Sequence, residues 1–186
     1  NLITNLSNET IGISNLAEDR YGSHVLRSVI TSLTENSSLS PIVEKKLIRP
    51  VIKVLIKNPD KARIPQFSAV LQTIANLDPE KNQKVLTYLA NSIPTEFEAV
   101  CDRSTSKLIE EVIKLGIEGP IQKIYDNIFK DNALKAARHS VANFVLQRWL
   151  EQCTKEMFMS ACKELVPNIG LLLNDQPEVV VALCNA

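Results

Sequence analysis

Glycine and aromatic residues are scarce in this sequence: five of its 186 residues are glycine, and aromatic residues make up 5%. Sandwiches and barrels depend on many turns and on β-favouring aromatic residues, so this scarcity argues against them and favours helices. Basic and acidic residues balance at 21 each. A strongly basic protein that binds nucleic acid without specificity is therefore disfavoured, although a local basic face is compatible with a neutral chain.

Long apolar runs and clustered metal ligands are also missing. The longest run without a charged residue covers residues 64–77 and contains polar amides, so it is too short and too polar to span a bilayer. No signal-peptide pattern occurs. His24 and His139 are the only histidines, and none of the four cysteines forms a CxxC pair. We therefore expect no membrane association, no metal site, no cofactor, and buried free thiols in a reducing compartment.

Signatures of the common enzyme classes are absent as well. The chain contains no GxSxG, no P-loop, no HExxH and no Rossmann fingerprint. Glu110 and Glu111 are sequence neighbours, so on a helix they point in different directions and make a poor acid–base pair. We expect no catalytic residue and no enzymatic activity.

Helical periodicity runs through the whole chain. Asp78 and Thr154 are predicted N-caps, because each precedes an apolar-periodic segment. A helix is predicted over residues 41–57, with Pro50 expected to kink or split it. The polar residues 34–40 predict a loop, and no linker is long enough to divide the chain into two domains.

Four windows of five residues share one pattern. Each begins with a small or amide residue, has two aliphatic residues in the middle and ends with a long polar residue. They begin at Ser23, Ser68, Ser106 and Asn143, at steps of 45, 38 and 37 residues. A period of about 40 residues with two helices per unit is typical of an α-solenoid, in which stacking of the units supplies the core. A fifth unit is predicted to begin near Glu178 or Val179, in an ambiguous register.

Positions one, two and five of each window are predicted to share one helix face, because residues four apart are neighbours on a helix. The aliphatic pair then points into the core. Such a ladder of polar side chains suits an extended polymer with regular units, and single-stranded RNA offers both base edges and stacking faces. A solvated helix face explains any single window; the shared face at a shared step favours the ladder.

The windows resemble those of pumilio-type (PUF) RNA-binding repeats. In that family the first and fifth positions contact a base edge, and the second position stacks on the base. Asn143 with Gln147 is similar to the family's uracil reader, and Ser106 with Glu110 is similar to its guanine reader. The base-edge residues implied by this resemblance are Ser23, Arg27, Ser68, Gln72, Ser106, Glu110, Asn143 and Gln147. The implied stacking residues are His24, Lys107 and Phe144.

The two windows of the first half depart from the family pattern. Ser68 with Gln72 leans towards adenine, but Ala69 offers no stacking side chain. Arg27 is not a standard edge reader. We therefore expect a few good base contacts and several idle repeats.

Residues 19–27 and 138–147 resemble one branch more closely, the nucleolar pumilio-like proteins of small-ribosomal-subunit biogenesis. The resemblance implies an all-α, right-handed α-solenoid of stacked pumilio-like repeats. The expected repeats are one solenoid fragment divided at about 1–40, 41–78, 79–116, 117–153 and a partial 154–186. The implied partner is RNA, in particular precursor ribosomal RNA during 18S maturation in the nucleolus, with pre-ribosomal proteins as further partners and a monomeric chain. The alternative is a HEAT- or armadillo-like solenoid that binds a protein.

Basic residues concentrate in residues 45–63, which carry seven lysines and arginines against Asp60 alone. The basic residues that recur every four positions are Lys45, Arg49, Lys53 and Lys57. They predict a stripe along one helix, and both phosphate binding and an ordinary solvated outer face fit it. Predicted contacts to the RNA backbone are the arginines nearer the windows: Arg63, Arg103, Arg138 and Arg148.

Two ring side chains near the last window, Trp149 and His139, are predicted to have structural roles. Trp149 follows the aliphatic stripe, so we expect it in the core with its indole N–H hydrogen-bonded. His139 lies just before the helix and is expected to be structural. Phe144, by contrast, lies on the polar face and is expected to be available for stacking.

Overall fold

The structure, a computed structural model, describes residues 10–34 and 40–186. These residues form helices, turns and loops, without a strand in either range. No helix in those ranges is both long enough and apolar enough to cross a bilayer. The predicted loop over residues 34–40 falls mainly on residues 35–39, which lie outside the described residues.

The helices follow one another along the chain with short connections. They are α1 (Thr10–Glu18), α2 (Arg20–Thr34), α3 (Ser40–Val43), α4 (Arg49–Lys57), α5 (Pro65–Ala75), α6 (Pro79–Ala90), α7 (Phe97–Cys101), α8 (Arg103–Ile113), α9 (Glu118–Ile124), α10 (Ala133–Arg138), α11 (Ala142–Leu150), α12 (Lys155–Leu165), α13 (Ile169–Asp175) and α14 (Pro177–Asn185). Glu44–Ile48 and Tyr125–Phe129 are π-helical turns, and Pro59–Arg63 and Val166–Asn168 are 3₁₀ turns.

The predicted helix starts are confirmed where the caps can be seen. The Asp78 carboxylate accepts the backbone N–H of Glu80 at 3.0 Å, at the start of α6. Thr154 accepts the N–H of Met157 at 3.4 Å, at the start of α12. The helix predicted over residues 41–57 is present as α3, a π turn and α4, which follow one another without a gap, so the split expected at Pro50 is not found. The backbone stays right-handed helical across the junction, because the proline sits in the first turn of α4.

The repeating unit has three helical segments, so the two-helix unit predicted from the period is wrong. Long helix α6 is followed by short helix α7 and then by α8, which carries a window. The same order recurs in α9 extended by the π turn Tyr125–Phe129, then α10 and α11, and again in α12, α13 and α14. The short segments escape sequence reading because a helix of about five residues has too few turns to show a periodic pattern.

Contacts divide the chain into two compact units, Asn1–Pro94 and Thr95–Ala186. In the first unit α2 packs beside α5, and α1 packs against α4 and α5. In the second unit α8 packs beside α11, which in turn packs beside α14. Helices α2, α5, α8 and α11, here called the window helices, are therefore direct neighbours within each unit.

Gly22 permits the close approach of α1 and α2. A Cβ atom at this position would lie 2.7 Å from the carbonyl oxygen of Leu16 and 2.7 Å from its Cδ1 atom. Since the carbonyl belongs to the backbone of α1, only glycine fits here without moving a helix.

The core of the second unit is built around Trp149, which is fully buried as predicted. Its ring stacks on Tyr125, with centroids 5.5 Å apart and planes 6° from parallel. Phe129 packs on it at 5.1 Å and 49°. The hydrogen bond expected for the indole N–H is not found, because no described residue accepts one from it. Aromatic carbon on two sides of the indole accounts for its position in the core.

Candidate nucleic-acid interface

The residue four positions before a window fixes the start of three window helices. At α2, Asp19 accepts two backbone N–H groups at 3.0 and 2.6 Å. At α8, Asp102 accepts two at 3.0 and 2.8 Å. At α11, Nδ1 of His139 accepts two, both at 3.2 Å, which confirms its structural role. These caps give three of the windows a common register, and the Asp or His that recurs four residues before them is the signal that sequence reading missed.

The first position of each window is buried, which corrects the expectation of a fully shared exposed face. Ser23, Ser68, Ser106 and Asn143 are between 0 and 3% exposed. Each lies in the first turn of its helix, where a short side chain finds a backbone partner. Ser23 and Ser106, for example, donate to the carbonyl three residues earlier, both at 3.2 Å. The first position can therefore offer a base only the part of its polar group that the local hydrogen bonds leave unused.

The second position is where the window meets solvent. His24, Lys107 and Phe144 are exposed, and the Phe144 side chain is 53% exposed although it is aromatic. Ala69, at the equivalent position of α5, is half-buried and has no surface to stack on a base. An exposed ring on a helix that is otherwise well packed provides the open face that stacking requires.

The fifth position is half-buried in every window and is tied to the rest of its window in three of them. Gln147 Nε2 donates to Asn143 Oδ1 at 2.9 Å, and Gln72 Nε2 donates to Ser68 Oγ at 3.1 Å. The Arg27 guanidinium lies 2.6 Å from Nδ1 of His24, linking the fifth position to the second instead. These links hold long, flexible side chains in place, which lowers the entropy lost when they bind a ligand.

A shallow pocket of about 350 Å³ lies between α8 and α11. It brings together residues of two different windows and Arg103, one of the arginines predicted to contact an RNA backbone. Its lining consists of Arg103, Ser106, Lys107, Glu110, Ser140, Val141 and Phe144. Ser140 and Val141 were not predicted, because they precede the window in the chain and reach the pocket only through the packing of α11 on α8.

The electrostatics of this pocket centre on Glu110. Burial raises the pKa of its carboxyl group, and the positive charges of Arg148, Lys114 and Lys107 oppose that rise only in part. The carboxylate is thus less well solvated than a surface glutamate. A ligand that donates N–H groups would replace the missing water contacts.

In the first unit His24 and Arg27 line a second pocket, of about 430 Å³, together with Thr73 of α5. Thr73 follows the window of its own helix by one residue, so the window pattern gives no signal for it. The second pocket lacks both a carboxylate and an aromatic ring other than the imidazole.

The aliphatic middle positions face the core as predicted, with one exception. Val25 of α2 is 53% exposed, whereas its counterparts Val70, Leu108 and Val145 are buried. No described element covers that side of α2.

The ambiguous fifth window gains a register from the structure. In α14, Val179 and Val180 are buried, Val181 is exposed and Ala182 is buried. The windows of α8 and α11 show the same order of burial when Val180 is taken as the first position. Its first and fifth positions are then Val180 and Cys184, which offer no amide, carboxylate or hydroxyl to a base.

The four arginines predicted to contact an RNA backbone differ in their surroundings. Arg103 lines the pocket between α8 and α11. The other three form exposed or half-exposed ion pairs. These pairs are Arg63 with Asp60, Arg138 with Asp175, and Arg148 with Glu151. Such pairs contribute little stability, so they can exchange for a phosphate.

The thiols are free but less buried than expected. Cys101, Cys153 and Cys162 are half-buried and Cys184 is exposed, so the prediction of uniformly buried thiols is wrong. Burial raises the pKa of Cys153 to about 11, and its thiol donates to the carbonyl of Leu150. Among the described residues no cluster of histidine, cysteine and carboxylate side chains could hold a metal ion.

Repeats of three helices, with neighbouring window helices packed side by side within each compact unit, define an α-helical repeat protein of the solenoid class. The family model for the NOP9-like PUF repeat domain matches residues 50–186, and the chain belongs to this family. The resemblance to pumilio-like nucleolar proteins is thereby confirmed.

Two curated relatives carry the name Nucleolar protein 9. The protein from Mus musculus is 34% identical over 87 residues, and the protein from Homo sapiens is 34% identical over 88 residues. Each match covers 46% of this chain and 14% of the relative. The chain therefore corresponds to a small part of these longer proteins.

Solved structures with a similar fold confirm the predicted all-α solenoid. The Puf4 RNA-binding domain bound to the HO endonuclease RNA 3′ UTR recognition sequence has a TM-score of 0.68 at 19% identity, covering 95% of this chain and 52% of that chain. PUF-8 in complex with PBE-RNA has a TM-score of 0.68 at 19% identity, covering 98% and 51%. APUM23, with its insert region deleted, has a TM-score of 0.54 at 20% identity, covering 98% and 48%.

Proposed function

We propose that this chain binds single-stranded RNA and reads individual bases with its window helices. The observation that carries the proposal is the pocket between α8 and α11, which is lined by Glu110, Phe144 and Arg103 together. A carboxylate accepts base N–H groups, an aromatic ring stacks on a base, and a guanidinium binds phosphate. The solved structures of similar fold include RNA complexes of Puf4 and PUF-8, which supports the same class of ligand.

The α8 window suits guanine. Guanine presents two neighbouring N–H donors on its Watson–Crick edge, and the half-buried Glu110 carboxylate is an acceptor that lacks full solvation. Ser106 adds a hydroxyl beside it. Lys107 is exposed at the stacking position, where its aliphatic stem can cover the base while its amine reaches a phosphate.

The α11 window suits uracil. The Gln147 amide donates one N–H to Asn143 Oδ1, which leaves its own carbonyl oxygen and its second N–H for a base. Uracil offers a matching donor and acceptor on its Watson–Crick edge. Phe144, exposed beside these two residues, is the stacking partner.

The first unit contributes weaker readers. Ser23 with Arg27 and Ser68 with Gln72 occupy the same positions on α2 and α5, and His24 is the stacking side chain. Ala69 leaves the α5 window without one. Arg63, Arg138 and Arg148 are the proposed supplementary contacts to the RNA backbone, which they reach by exchanging an exposed carboxylate for a phosphate.

We further propose that the chain is one solenoid fragment with repeats at about 1–40, 41–78, 79–116, 117–153 and a partial 154–186. The recurring order of long, short and window helix supports the boundaries from residue 41 onward, and α12, α13 and α14 complete this order within residues 154–186. The division between the two compact units falls inside the third of these repeats, between α6 and α7.

The relatives' name supports a place of action. We propose that the protein acts in the nucleolus on precursor ribosomal RNA during 18S maturation, as a monomer, alongside pre-ribosomal proteins. RNA crosslinking of the intact protein in cells, with the crosslinked peptides mapped, tests this. Crosslinks confined to other RNA classes would contradict it.

Base reading is tested with matched glutamate variants. Binding of short single-stranded RNAs that differ at one position is measured for the wild type, Glu110→Gln and Glu111→Gln. Glu111 is the control, because its carboxylate is held by Lys114 at 2.7 Å and does not line the pocket. We expect Glu110→Gln alone to relax a guanine preference by about 1–3 kcal/mol, which is five- to 150-fold. Identical base preferences in all three proteins would refute the guanine assignment.

The same titrations separate RNA binding from a protein scaffold of the HEAT or armadillo type. RNA binding should weaken steeply with added salt and should be competed by unlabelled single-stranded RNA. Failure of the wild type to bind any RNA at low salt would remove the proposed function.

A further inference from the structure

A second charged surface lies in the first unit on residues 40–57, a helical segment that carries no window. Residues 40–57 bury Val43, Leu47, Ile48, Val51, Ile52 and Leu55. The opposite side of this segment carries its lysines. Within this segment α4 packs mainly against α1 and to a lesser extent against α6, and the short helix α3 packs against α2.

The basic residues of this region divide into neutralised and unneutralised groups. Arg49 is paired with Glu44 at 2.6 Å, Lys61 with Glu18 at 2.6 Å, and Arg63 with Asp60 at 3.6 Å. The exposed lysines without an acidic partner among the described residues are Lys45, Lys46, Lys53 and Lys57. We call these four residues the lysine face.

The lysine face differs from the stripe that sequence spacing predicts. Arg49 leaves the set because Glu44 neutralises it. Lys46 is added to the set. It lies in the π turn Glu44–Ile48, which has one more residue per hydrogen-bonded ring than an α-helix, and both Lys45 and Lys46 are exposed there. Four like charges thus concentrate on one surface of a chain whose net charge is zero.

The composition of the lysine face favours a polyanion over a folded protein. A protein partner would need a contiguous apolar anchor, but the exposed Ile42 and Ile56 are 14 residues apart, about 21 Å along a helix. Base reading needs amides, hydroxyls or forked guanidiniums, and the lysine face consists of ammonium groups alone. Lysine amines are compact point charges that bind phosphates without geometric selection.

The length of the face also fits a polymer. Lys45 and Lys57 are 12 residues apart, about 18 Å along the helix axis, which is too far for a single phosphate to bridge. A nucleic-acid backbone presents charges continuously over that distance.

We propose that the lysine face binds the phosphate backbone of RNA without sequence preference, holding a segment adjacent to the one that the windows read. The identity of the polyanion as RNA rests on the proposed function. The surface itself is separate from the windows in both position and chemistry.

The test compares two RNAs on the full chain: a short single strand, and the same strand extended by a hairpin. The variant K45Q/K46Q/K53Q/K57Q removes the lysine face. The control K84Q/K123Q/K155Q/K163Q removes the same charge from exposed lysines scattered over α6, α9 and α12. A third variant, with all four residues of the face changed to arginine, keeps the charge. Thermal unfolding confirms that each variant is folded, and the pairs K45Q/K46Q and K53Q/K57Q replace the fourfold variant if it is not.

For the extended RNA we expect the affinity of the wild type and of the control to depend more steeply on salt than the affinity of the variant K45Q/K46Q/K53Q/K57Q. Loss of the lysine face should lower the slope of log affinity against log salt by up to about 3.6, or about 0.9 for each of four released contacts. Affinity for the short strand should stay unchanged, and the arginine variant should behave as the wild type does.

Each other outcome counts against a specific claim. If the short strand binds with base preference but the slopes of the lysine-face variant and the control agree, this inference is overturned while the proposed function stands. If the wild type binds neither RNA, the proposed function fails first. If polyglutamate binds as tightly as the extended RNA and depends on the same lysines, the partner is an acidic protein and the RNA assignment is wrong.

Discussion

Asn143 should be essential for the stability of the second unit, not only for ligand binding. It is 1% exposed, donates from Nδ2 to the carbonyl of His139 at 2.8 Å and accepts from Gln147 at 2.9 Å. Substitution by alanine removes both hydrogen bonds. At a net value of about 1 kcal/mol for each, we expect Asn143→Ala to lower the free energy of unfolding by about 2 kcal/mol.

Phe144 supplies the matched control on the same helix. Its side chain is exposed and fills no core space, so Phe144→Ala should change stability by less than about 0.5 kcal/mol. Its effect should appear in RNA binding instead, as a loss of about 1–3 kcal/mol from missing base stacking. Neighbouring residues would then affect different measurements.

The assay uses the only tryptophan of the chain, Trp149, which lies in α11 with both residues. Its fluorescence reports unfolding of the second unit in urea. With a denaturant slope of about 2 kcal/mol/M, a loss of about 2 kcal/mol moves the midpoint by about 1 M. A midpoint for Asn143→Ala equal to that of the wild type would refute the hydrogen-bond reasoning. So would an equal shift for Phe144→Ala.

Three further predictions concern other groups of the second unit. His139→Ala removes the acceptor of two backbone N–H groups at the start of α11, so it should lower the free energy of unfolding by about 1 kcal/mol. His139→Asp should restore most of this loss, because Asp102 caps α8 in the same way. Equal urea midpoints for the two variants would contradict the capping role. Burial raises the pKa of Glu110 in the folded protein, so the folded state binds its proton more strongly than the unfolded state does. Stability should therefore fall as pH rises from the ordinary glutamate pKa through the raised one. Glu110→Gln should lack this fall and be more stable than the wild type at neutral pH, whereas superimposable stability–pH curves would show that burial of this carboxyl is unimportant. Alkylation at mildly alkaline pH, followed by peptide mass spectrometry, should label the exposed Cys184 well before Cys153, whose pKa of about 11 leaves little thiolate; comparable labelling rates would rule out the burial argument.

The helical class, the window positions and the family were all accessible from the sequence. Local rules determine them: the spacing of apolar residues, the caps at Asp78 and Thr154, and a pattern that returns at nearly equal steps. The short helices were not accessible, because segments such as Phe97–Cys101 are too brief for a periodic signal. Nor could the sequence show that the indole N–H of Trp149 has no hydrogen-bond acceptor among the described residues, since a partner depends on which elements meet around the ring.

For the candidate site, the sequence determined which residue types recur at the first, second and fifth positions, because helix geometry alone relates residues four apart. Only the tertiary structure decided how those positions divide between core and solvent. Packing of α8 on α11 joined Glu110, Phe144 and Arg103 in one pocket, and Asn143 became buried in the folded unit. Likewise, the spacing of the basic residues follows from the sequence, but the ion pair between Arg49 and Glu44 and the exposure of Lys46 in the π turn decided which of them have no acidic partner among the described residues. The physical reason is that intervals along a helix are local, whereas burial and desolvation depend on residues distant in the chain; even the ion pair between Glu44 and Arg49 requires the backbone geometry that brings their side chains together.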